Sequence, residues 1–420
     1  MKKKHKKPST VQQLKLLTAQ NRKDFFRRIQ RLLTLLSGDE DTIKLFPHDD
    51  LELLFINRIQ SLKVESAQGH TIDPRILRDM KETALEMMKH EMILTNDFGG
   101  SITLLEFLTD VFTILMNYNC YLDEKKPFAI ELGLALSTYM DTDNVADTLE
   151  RSKKTVESVT ILYSDMASVL YYADLSPKVR SWELGGSYLA LKVYSCLQEK
   201  IPITIDGLTR PAVRVGCFDP EDGMVWCSRP PASFGIPQRD ITDLWPVYIQ
   251  MHALQRLAER LNCIDKEIAQ YFLYRSIRNG RIHTARDNHY LIEYHFMDMK
   301  LGYLLVLAHD NMLVVRTFLF LTNNGTPEGK KLHNLTGLQK HDKKYLALDK
   351  LSTFMDPELC KNDVIQRLFF DAGCSDLFEV TSNIGKGHDA TRSNTSSKVL
   401  IEYLMLNPAK PEKQTVLNPS

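Results

Sequence analysis

The first 200 residues place apolar side chains with the period of an α-helix. Between residues 10 and 37, apolar positions recur at steps of three to four residues, and they include Leu14, Leu17, Phe25, Ile29, Leu32 and Leu36. Further helices are predicted over residues 49–62, 73–94, 101–119, 143–172 and 176–199. The pair Asp73-Pro74 is a typical helix start, because a capping side chain precedes a proline at the first helical position. The pattern predicts a helical domain over residues 10–200.

The pattern changes at Pro202, where short apolar runs replace the helical period. Residues 203–205, 212–218 and 224–227 have the composition of short strands, and Asp-Gly, Asp-Pro and Arg-Pro-Pro sequences separate them. We interpret residues 228–238 as a loop. The sequence therefore predicts a small β-rich segment over residues 201–245.

From Trp245 onward the order of elements is more specific. A strand is predicted over 248–251, helices over 252–261 and 265–278, and three antiparallel strands over 290–296, 301–308 and 312–321. In the first of these three strands, Tyr290, Ile292, Tyr294 and Phe296 share one face. Further helices are predicted after Thr326-Pro327 and after Asp356-Pro357. The fold class is α+β: a helical N-terminal half, then a module over 246–380 with helices packed on an antiparallel β-meander, between a basic tail (1–9) and a flexible C-terminal tail (381–420).

Composition indicates a reduced, intracellular setting. The seven cysteines contain no C-x-x-C pair, a pattern typical of free thiols rather than of disulfides or a zinc site; they are Cys120, Cys196, Cys217, Cys227, Cys263, Cys360 and Cys374. No cofactor or metal is predicted. The most apolar window, 102–121, contains Glu106 and Asp110, so no membrane partner is expected and the predicted location is cytoplasmic. We interpret these two acids as the solvated edge of an apolar helix.

Charge is balanced over the whole chain but not locally. Residues 1–30 carry ten Lys or Arg against the single acid Asp24. Lys3, Lys4, Arg27 and Arg28 are therefore candidate contacts to nucleic acid or to another acidic surface, through release of counterions. The alternative is a solvated tail that aids solubility.

The candidate chemistry lies in the predicted helix 252–261, which reads HALQRLAERL. His252, Arg256 and Arg260 are four residues apart, so they line one helical face. A histidine can take the proton of a ribose 2′-hydroxyl, and arginine can stabilise charge on a phosphorane. Thr317 is the candidate hydroxyl donor on a strand. This combination predicts metal-independent cleavage of RNA, and the alternative is the polar side of an ordinary surface helix.

More arginines crowd the same module. From residue 247 to residue 290 there are seven Arg or Lys against four Asp or Glu. The candidate nucleic-acid contacts in this module are Arg260, Arg278, Arg281, Arg286 and Arg316, and His283 and His289 lie nearby in the sequence. A phosphate backbone would be the natural partner of such a set.

The order of strand, H-A-x-x-R-x-x-x-R helix, basic loop and meander ending in Arg316-Thr317-Phe318 resembles the small bacterial toxin ribonucleases of the barnase–colicin–RelE type. The resemblance covers residues 248–321. It implies His252 and Arg256 as the helix-borne pair, Thr317 or Arg316 as the strand-borne partner, a bacterial source and a role in growth control or defence.

Three functions are thus expected from the sequence. The first is a toxin-like, metal-independent RNA-cleaving or RNA-binding protein whose helical half restrains or targets the C-terminal module. The second is a non-catalytic interaction protein in which the helices bind a protein partner and the nuclease-like module is a degenerate scaffold. The third is a sequence-independent nucleic-acid binder that uses the basic N-terminal arm.

Overall fold

A computed structural model describes residues 10–94, 100–137, 139–140, 142–178, 186–237, 243–286 and 288–384. The fold is α+β, as predicted. The described residues form two compact units: the first lies within 10–163, 171–195 and 219–223, and the second lies within 164–170, 196–218 and 224–384. The predicted basic tail (1–9), with Lys3 and Lys4, lies outside the described residues, and so does the predicted tail beyond Ile384.

The first unit is mainly helical. Its helices are α1 (Thr10–Ser37), α2 (His48–Asn57), α3 (Pro74–His90), α4 (Leu104–Glu106), α5 (Phe112–Asp123), α6 (Pro127–Leu136) and α7 (Thr142–Tyr163), with a π-helical turn, Phe107–Val111, between α4 and α5. Helix α3 begins as predicted, because the Asp73 side chain accepts the N–H of Arg75 and Pro74 occupies the first turn. The strands are β1 (Leu62–Ser66), β2 (Met92–Leu94), β3 (Ser101–Thr103), β4 (Val169–Lys178) and β5 (Tyr188–Leu197).

The helix predicted over 176–199 is wrong, because this stretch contains the end of β4 and all of β5. In β5 the side chains of Leu189, Ala190, Leu191 and Val193 are buried, and these residues pair with β1 in parallel register. The three strands form one sheet in the order β1-β5-β4. Leucine and alanine favour helices, but here burial within the sheet outweighs that local preference.

The interpretation as a solvated edge is wrong for Asp110, whereas the Glu106 side chain is 25% exposed. Asp110 is only 4% exposed and lies in the π-helical turn. Its carboxylate accepts from Arg28 Nε at 2.9 Å, and Glu106 pairs with Arg31. Because a buried carboxylate needs a partner, the two acids join α1 to the α4–α5 region.

The second unit is built on a mixed sheet. Its strands are β6 (Ile201–Ile205), β7 (Leu208–Arg214), β8 (Gly216–Asp219), β9 (Gly223–Trp226), β10 (Ser228–Arg229), β11 (Trp245–Gln250), β12 (Ile282–Arg286), β13 (His289–Phe296), β14 (Met299–His309) and β15 (Met312–Phe320). The main sheet has the order β12-β13-β14-β15-β11-β7-β6, while β8 pairs with β9. β6 and β7 therefore hydrogen-bond into the sheet of the C-terminal module.

The helices of this unit are α8 (Met251–Arg260), α9 (Lys266–Asn279), α10 (Pro327–Thr336), α11 (Lys340–Tyr345), α12 (Pro357–Cys360), α13 (Asp363–Asp371) and α14 (Asp376–Ile384). The predicted order of strand, two helices and meander is confirmed, and β12 adds a fourth meander strand where a basic loop was expected. No helix in the described part of the chain is long and apolar enough to cross a membrane.

The two faces of the main sheet carry different residues. Tyr294 lies on the face that packs against α9, since its hydroxyl donates to the carbonyl of Ala269 at 3.0 Å. Phe318 shares that face, with ring centroids 5.2 Å from Tyr294. Because side chains alternate along a strand, the residues next to Tyr294, Glu293 and His295, lie on the opposite face.

Candidate active site

The predicted helix-borne residues lie at the start and along the exposed side of α8. His252 is partly exposed, and burial together with the charges of Arg210 and Arg256 lowers the pKa of its imidazole. Arg256 forms an ion pair with Glu259 at 2.6 Å. Arg260 is engaged structurally: its side chain is 15% exposed and pairs with Asp349 at 3.0 Å.

The predicted strand-borne residues lie elsewhere. Thr317 is opposite Leu305 in the β14–β15 ladder, on the face away from α8 and α9, and a bulge places Arg316 beside it. Arg316 pairs with Asp206 at 3.0 Å and lies 3.4 Å from His289 Nε2. The structure therefore does not bring Thr317 or Arg316 together with His252 and Arg256.

The remaining predicted contacts are dispersed. Arg278 donates to the Tyr274 hydroxyl at 3.0 Å, whereas Arg281 is exposed. Arg286 pairs with His289 through the backbone at the end of β12, and its side chain is outside the described part of the structure. In the first unit, Arg27 forms an ion pair with Asp24 at 3.5 Å, and Arg28 forms one with Asp110 at 2.9 Å.

A denser group of ionisable side chains surrounds Glu293 on β13. The Glu293 carboxylate lies 2.9 Å from His283 Nε2 on β12 and 3.8 Å from His295 Nε2 on its own strand. Lys300 Nζ on β14 lies 3.7 Å from the same carboxylate. The Glu293 side chain is 14% exposed, whereas the two imidazoles are about one third exposed, at 32% and 35%. This group has the chemistry of an acid–base site.

A second layer holds Lys300 in place. Lys300 Nζ donates to Glu328 Oε1 at 2.7 Å, and the Tyr303 hydroxyl donates to the same oxygen at 3.0 Å. The backbone N–H of Lys300 donates to Asp376 Oδ2 at 2.8 Å. Burial alone would lower the pKa of Lys300, but the hydrogen bond and negative charge of Glu328 raise it. Burial and the charge of Glu328 raise the pKa of Tyr303 to about 12.

Glu293 and His295 line an open groove of about 760 Å³ between the end of α9 and the β13–β14 turn. The groove is also lined by two arginines, two polar side chains, two apolar side chains and one acid: Arg275, Arg281, Ser276, Asn279, Phe272, Met297 and Asp298. Ser276 Oγ accepts the backbone N–H of His295 at 3.0 Å, which fixes β13 against α9.

Gly280 explains the close approach of α9 and β13. A Cβ at this position would lie 2.4 Å from the Ser276 carbonyl oxygen and 2.6 Å from that of Glu293, so a larger residue would push the two elements apart. Arg229 donates to the carbonyls of Ile277 and Arg278 and so caps the end of α9. These contacts fix the floor of the groove.

Sequence reasoning singled out Arg281 and His283 but missed Glu293, His295 and Lys300. A signal was available for two of them. The period-two pattern that places Tyr290, Ile292 and Tyr294 in the core also places Glu293 and His295 together on the other face. The approach of Lys300 and Glu328 depends on tertiary packing, and no sequence spacing shows it.

Within the described residues, no group of three or more His, Cys, Asp or Glu side chains is arranged to hold a metal ion. The group of His283, Glu293 and His295 is therefore not such a site. In comparisons with protein-family models, with curated proteins and with solved structures, the chain matches none of them.

Proposed function

We propose that this protein is a toxin-like RNA-binding and RNA-cleaving protein that acts without metal at the groove beside Glu293 and His295. The observation that supports the proposal is an imidazole–carboxylate pair on β13 beside the groove that Arg275 and Arg281 line. The two guanidiniums would neutralise the phosphate, and Phe272 offers an aromatic ring for a base.

In the proposed reaction, His295 takes the proton from a ribose 2′-hydroxyl. The 2′-oxygen attacks the phosphorus, the bond from phosphorus to the 5′-oxygen breaks, and that oxygen takes a proton from solvent. The products are a 2′,3′-cyclic phosphate and a free 5′-hydroxyl. Glu293, whose carboxylate lies 3.8 Å from His295 Nε2, stabilises the positive charge of the ring while it holds the proton.

The test is cleavage of end-labelled RNA in the presence of a chelator by wild type, His295→Ala, Glu293→Gln and His252→Ala. General acid–base groups contribute about 10²- to 10⁴-fold to a rate, so we expect a loss of that order in the first two variants. His252→Ala is the matched control and should cleave at the wild-type rate.

Each contrary result has a defined meaning. If His252→Ala loses cleavage and His295→Ala retains it, the catalytic base lies on α8, and the assignment of the active site to the groove is refuted. Failure of the wild type to cleave any RNA tested, with or without chelator, would refute the enzymatic proposal.

A second candidate function is protein binding through the helical unit. On α6, Ile130 and Leu134 are 68% and 71% exposed and one helical turn apart, so they form an apolar ridge on the surface. If a partner binds this ridge, Ile130→Lys should abolish partner capture, whereas Glu131→Lys on the same helix should not.

A further inference from the structure

The helices α13 and α14 form a groove at the end of the described chain. Asn362 caps α13, because its side chain accepts the N–H of Ile365 at 3.2 Å. Gly373 ends the same helix with a φ of +82°, a conformation that glycine adopts without strain, and α14 follows directly. Between the two helices lies an open groove of about 550 Å³.

The apolar part of this groove is aromatic. Phe378 on α14 is half-buried and packs against Phe354 and Phe369, with ring centroids 5.4 and 5.8 Å away. Phe370, near the end of α13, lines the same groove but is 68% exposed. Because an aromatic side chain of this size gains free energy when it leaves water, the groove is suited to an apolar ligand.

The polar part of the groove carries both signs of charge. Arg367 is exposed and is the basic residue among the described residues that line the groove, while Asp363 and Glu379 are the acidic ones. Asp363, Arg367 and Phe370 are three or four residues apart, so they lie along one side of α13. An apolar ligand with one acidic group beside Arg367 would therefore complement this side.

The chain itself contains a segment of this composition. Residues 398–406 read KVLIEYLML, so seven of the last eight residues are apolar and the one acid is Glu402. The sequences on either side, residues 385–397 and 407–420, are mostly polar residues, glycine and proline. The segment lies outside the described residues. An apolar run of this length loses free energy if water surrounds it, and an aromatic groove would remove it from water.

The length of the connection allows the segment to reach the groove. Thirteen residues, 385–397, separate it from Ile384, and a chain of that length spans at most about 45 Å. Phe378 lies on the helix that ends at Ile384, and six helical residues correspond to about 9 Å. A segment in the same chain also has a high effective concentration at the groove, which favours it over a separate molecule.

We propose that residues 398–406 of this chain bind in the α13–α14 groove, with their apolar side chains against Phe370 and Phe378 and with Glu402 beside Arg367. The groove is then an intramolecular binding site for the C-terminal segment. Any other apolar ligand of the groove has to compete with this segment.

The experiment measures the fluorescence anisotropy of a labelled peptide with the sequence of residues 394–413, whose polar ends keep it soluble. The peptide is titrated with the full chain and with a chain that ends at Ser393. The truncated chain should bind the peptide, and the full chain should bind it at least tenfold more weakly because its own segment occupies the groove. A full chain with Leu400→Asp and Leu404→Asp should bind like the truncated chain, which tests the release of the groove without a deletion.

Two substitutions in the truncated chain locate the peptide. Phe370→Asp should weaken binding tenfold or more, because a large aromatic side chain within a contact contributes most of its affinity. Tyr345→Asp is the matched control: Tyr345 is an aromatic residue on α11 that is 80% exposed and does not line the groove, so binding should be unchanged.

A charge exchange tests the pairing of Arg367 with Glu402. Arg367→Glu in the truncated chain should weaken binding about two- to fivefold, as the loss of an exposed ion pair does, and the peptide with Glu402→Arg should bind this variant as the original pair binds. A failure of the exchanged pair to recover affinity would overturn the placement of Glu402 beside Arg367.

The remaining results decide the occupant of the groove. Absence of peptide binding to the truncated chain, equal binding to the full and truncated chains, or undiminished binding to Phe370→Asp would overturn the proposal, provided that thermal unfolding shows each variant to be folded. Light scattering of the full chain tests a second copy as the occupant. Self-association that Phe370→Asp abolishes, and that the Leu400→Asp and Leu404→Asp chain retains, would overturn the proposal as well.

Discussion

The contact between Arg28 and Asp110 predicts that one arginine of the basic N-terminal arm stabilises the fold instead of binding nucleic acid. Asp110 is 5% exposed at its side chain, and Arg28 contacts both of its oxygens, at 2.9 and 3.4 Å. The adjacent residue Arg27 is 69% exposed and lies 3.5 Å from Asp24. The substitutions Arg28→Ala and Arg27→Ala are therefore a matched pair.

The expected magnitudes differ because only one of the two acids is buried. Arg28→Ala leaves the Asp110 carboxylate without its partner, which should cost about 1–3 kcal/mol of unfolding free energy. The value stays below the ~3–5 kcal/mol of a fully buried broken pair, because Arg28 is itself 46% exposed and water can reach the carboxylate. Arg27→Ala removes an exposed pair and should cost about 0–0.5 kcal/mol.

The assay is urea denaturation of both variants, together with binding of a labelled RNA at several salt concentrations. If the arm binds nucleic acid, Arg27→Ala should reduce the salt slope of binding by about one, and Arg28→Ala should leave it unchanged. Replacing both partners, Arg28→Met with Asp110→Leu, should recover most of the lost stability. Equal stability of Arg28→Ala and wild type would refute the argument, as would a larger effect of Arg28→Ala on RNA binding.

Two further predictions concern buried titratable groups. Lys343 is 3% exposed and donates to the carbonyls of Thr322 and Gly329, and burial lowers its pKa from 10.5 to about 8. Between about pH 8 and pH 10.5 the unfolded chain then binds a proton that the folded chain does not. Stability should therefore rise by about 3 kcal/mol over this range in wild type but not in Lys343→Met, and a flat difference between the two would contradict the burial argument. Burial raises the pKa of Cys374 to about 12, whereas Cys120 is exposed; mass spectrometry after brief alkylation of the folded protein should find Cys120 modified and Cys374 intact.

The elements that the sequence predicts well are those in which local preference and burial agree. Helix α1 and the meander strands β13, β14 and β15 have strong patterns, and their predicted bounds lie within one or two residues of the observed ones. The helix predicted over 176–199 was wrong because Tyr188–Leu197 contains leucine and alanine, which favour helices, and only its pairing with β1 shows that it is a strand. The predicted exposure of Asp110 was wrong for a related reason, because its partner Arg28 is 82 residues away in the sequence.

The residues of the candidate site also show that sequence spacing reveals local arrangements but not long-range contacts. His252, Arg256 and Arg260 are visible in the sequence because their spacing is local, but a shared helical face does not make a site. Arg260 forms an ion pair with Asp349, which lies 89 residues later in the sequence. Conversely, Lys300 and Glu328 lie 28 residues apart on different elements and meet only in the folded chain.

The choice between the two histidines depends on the charges around each ring. A general base is helped by a nearby carboxylate, which stabilises the imidazolium that forms when the ring takes a proton. Burial together with the charges of Arg210 and Arg256 lowers the pKa of His252. His295 has its backbone fixed by Ser276 and its ring beside Glu293. We therefore propose His295, which has a carboxylate 3.8 Å away, as the base in place of His252, even though the helix motif was the stronger signal in the sequence.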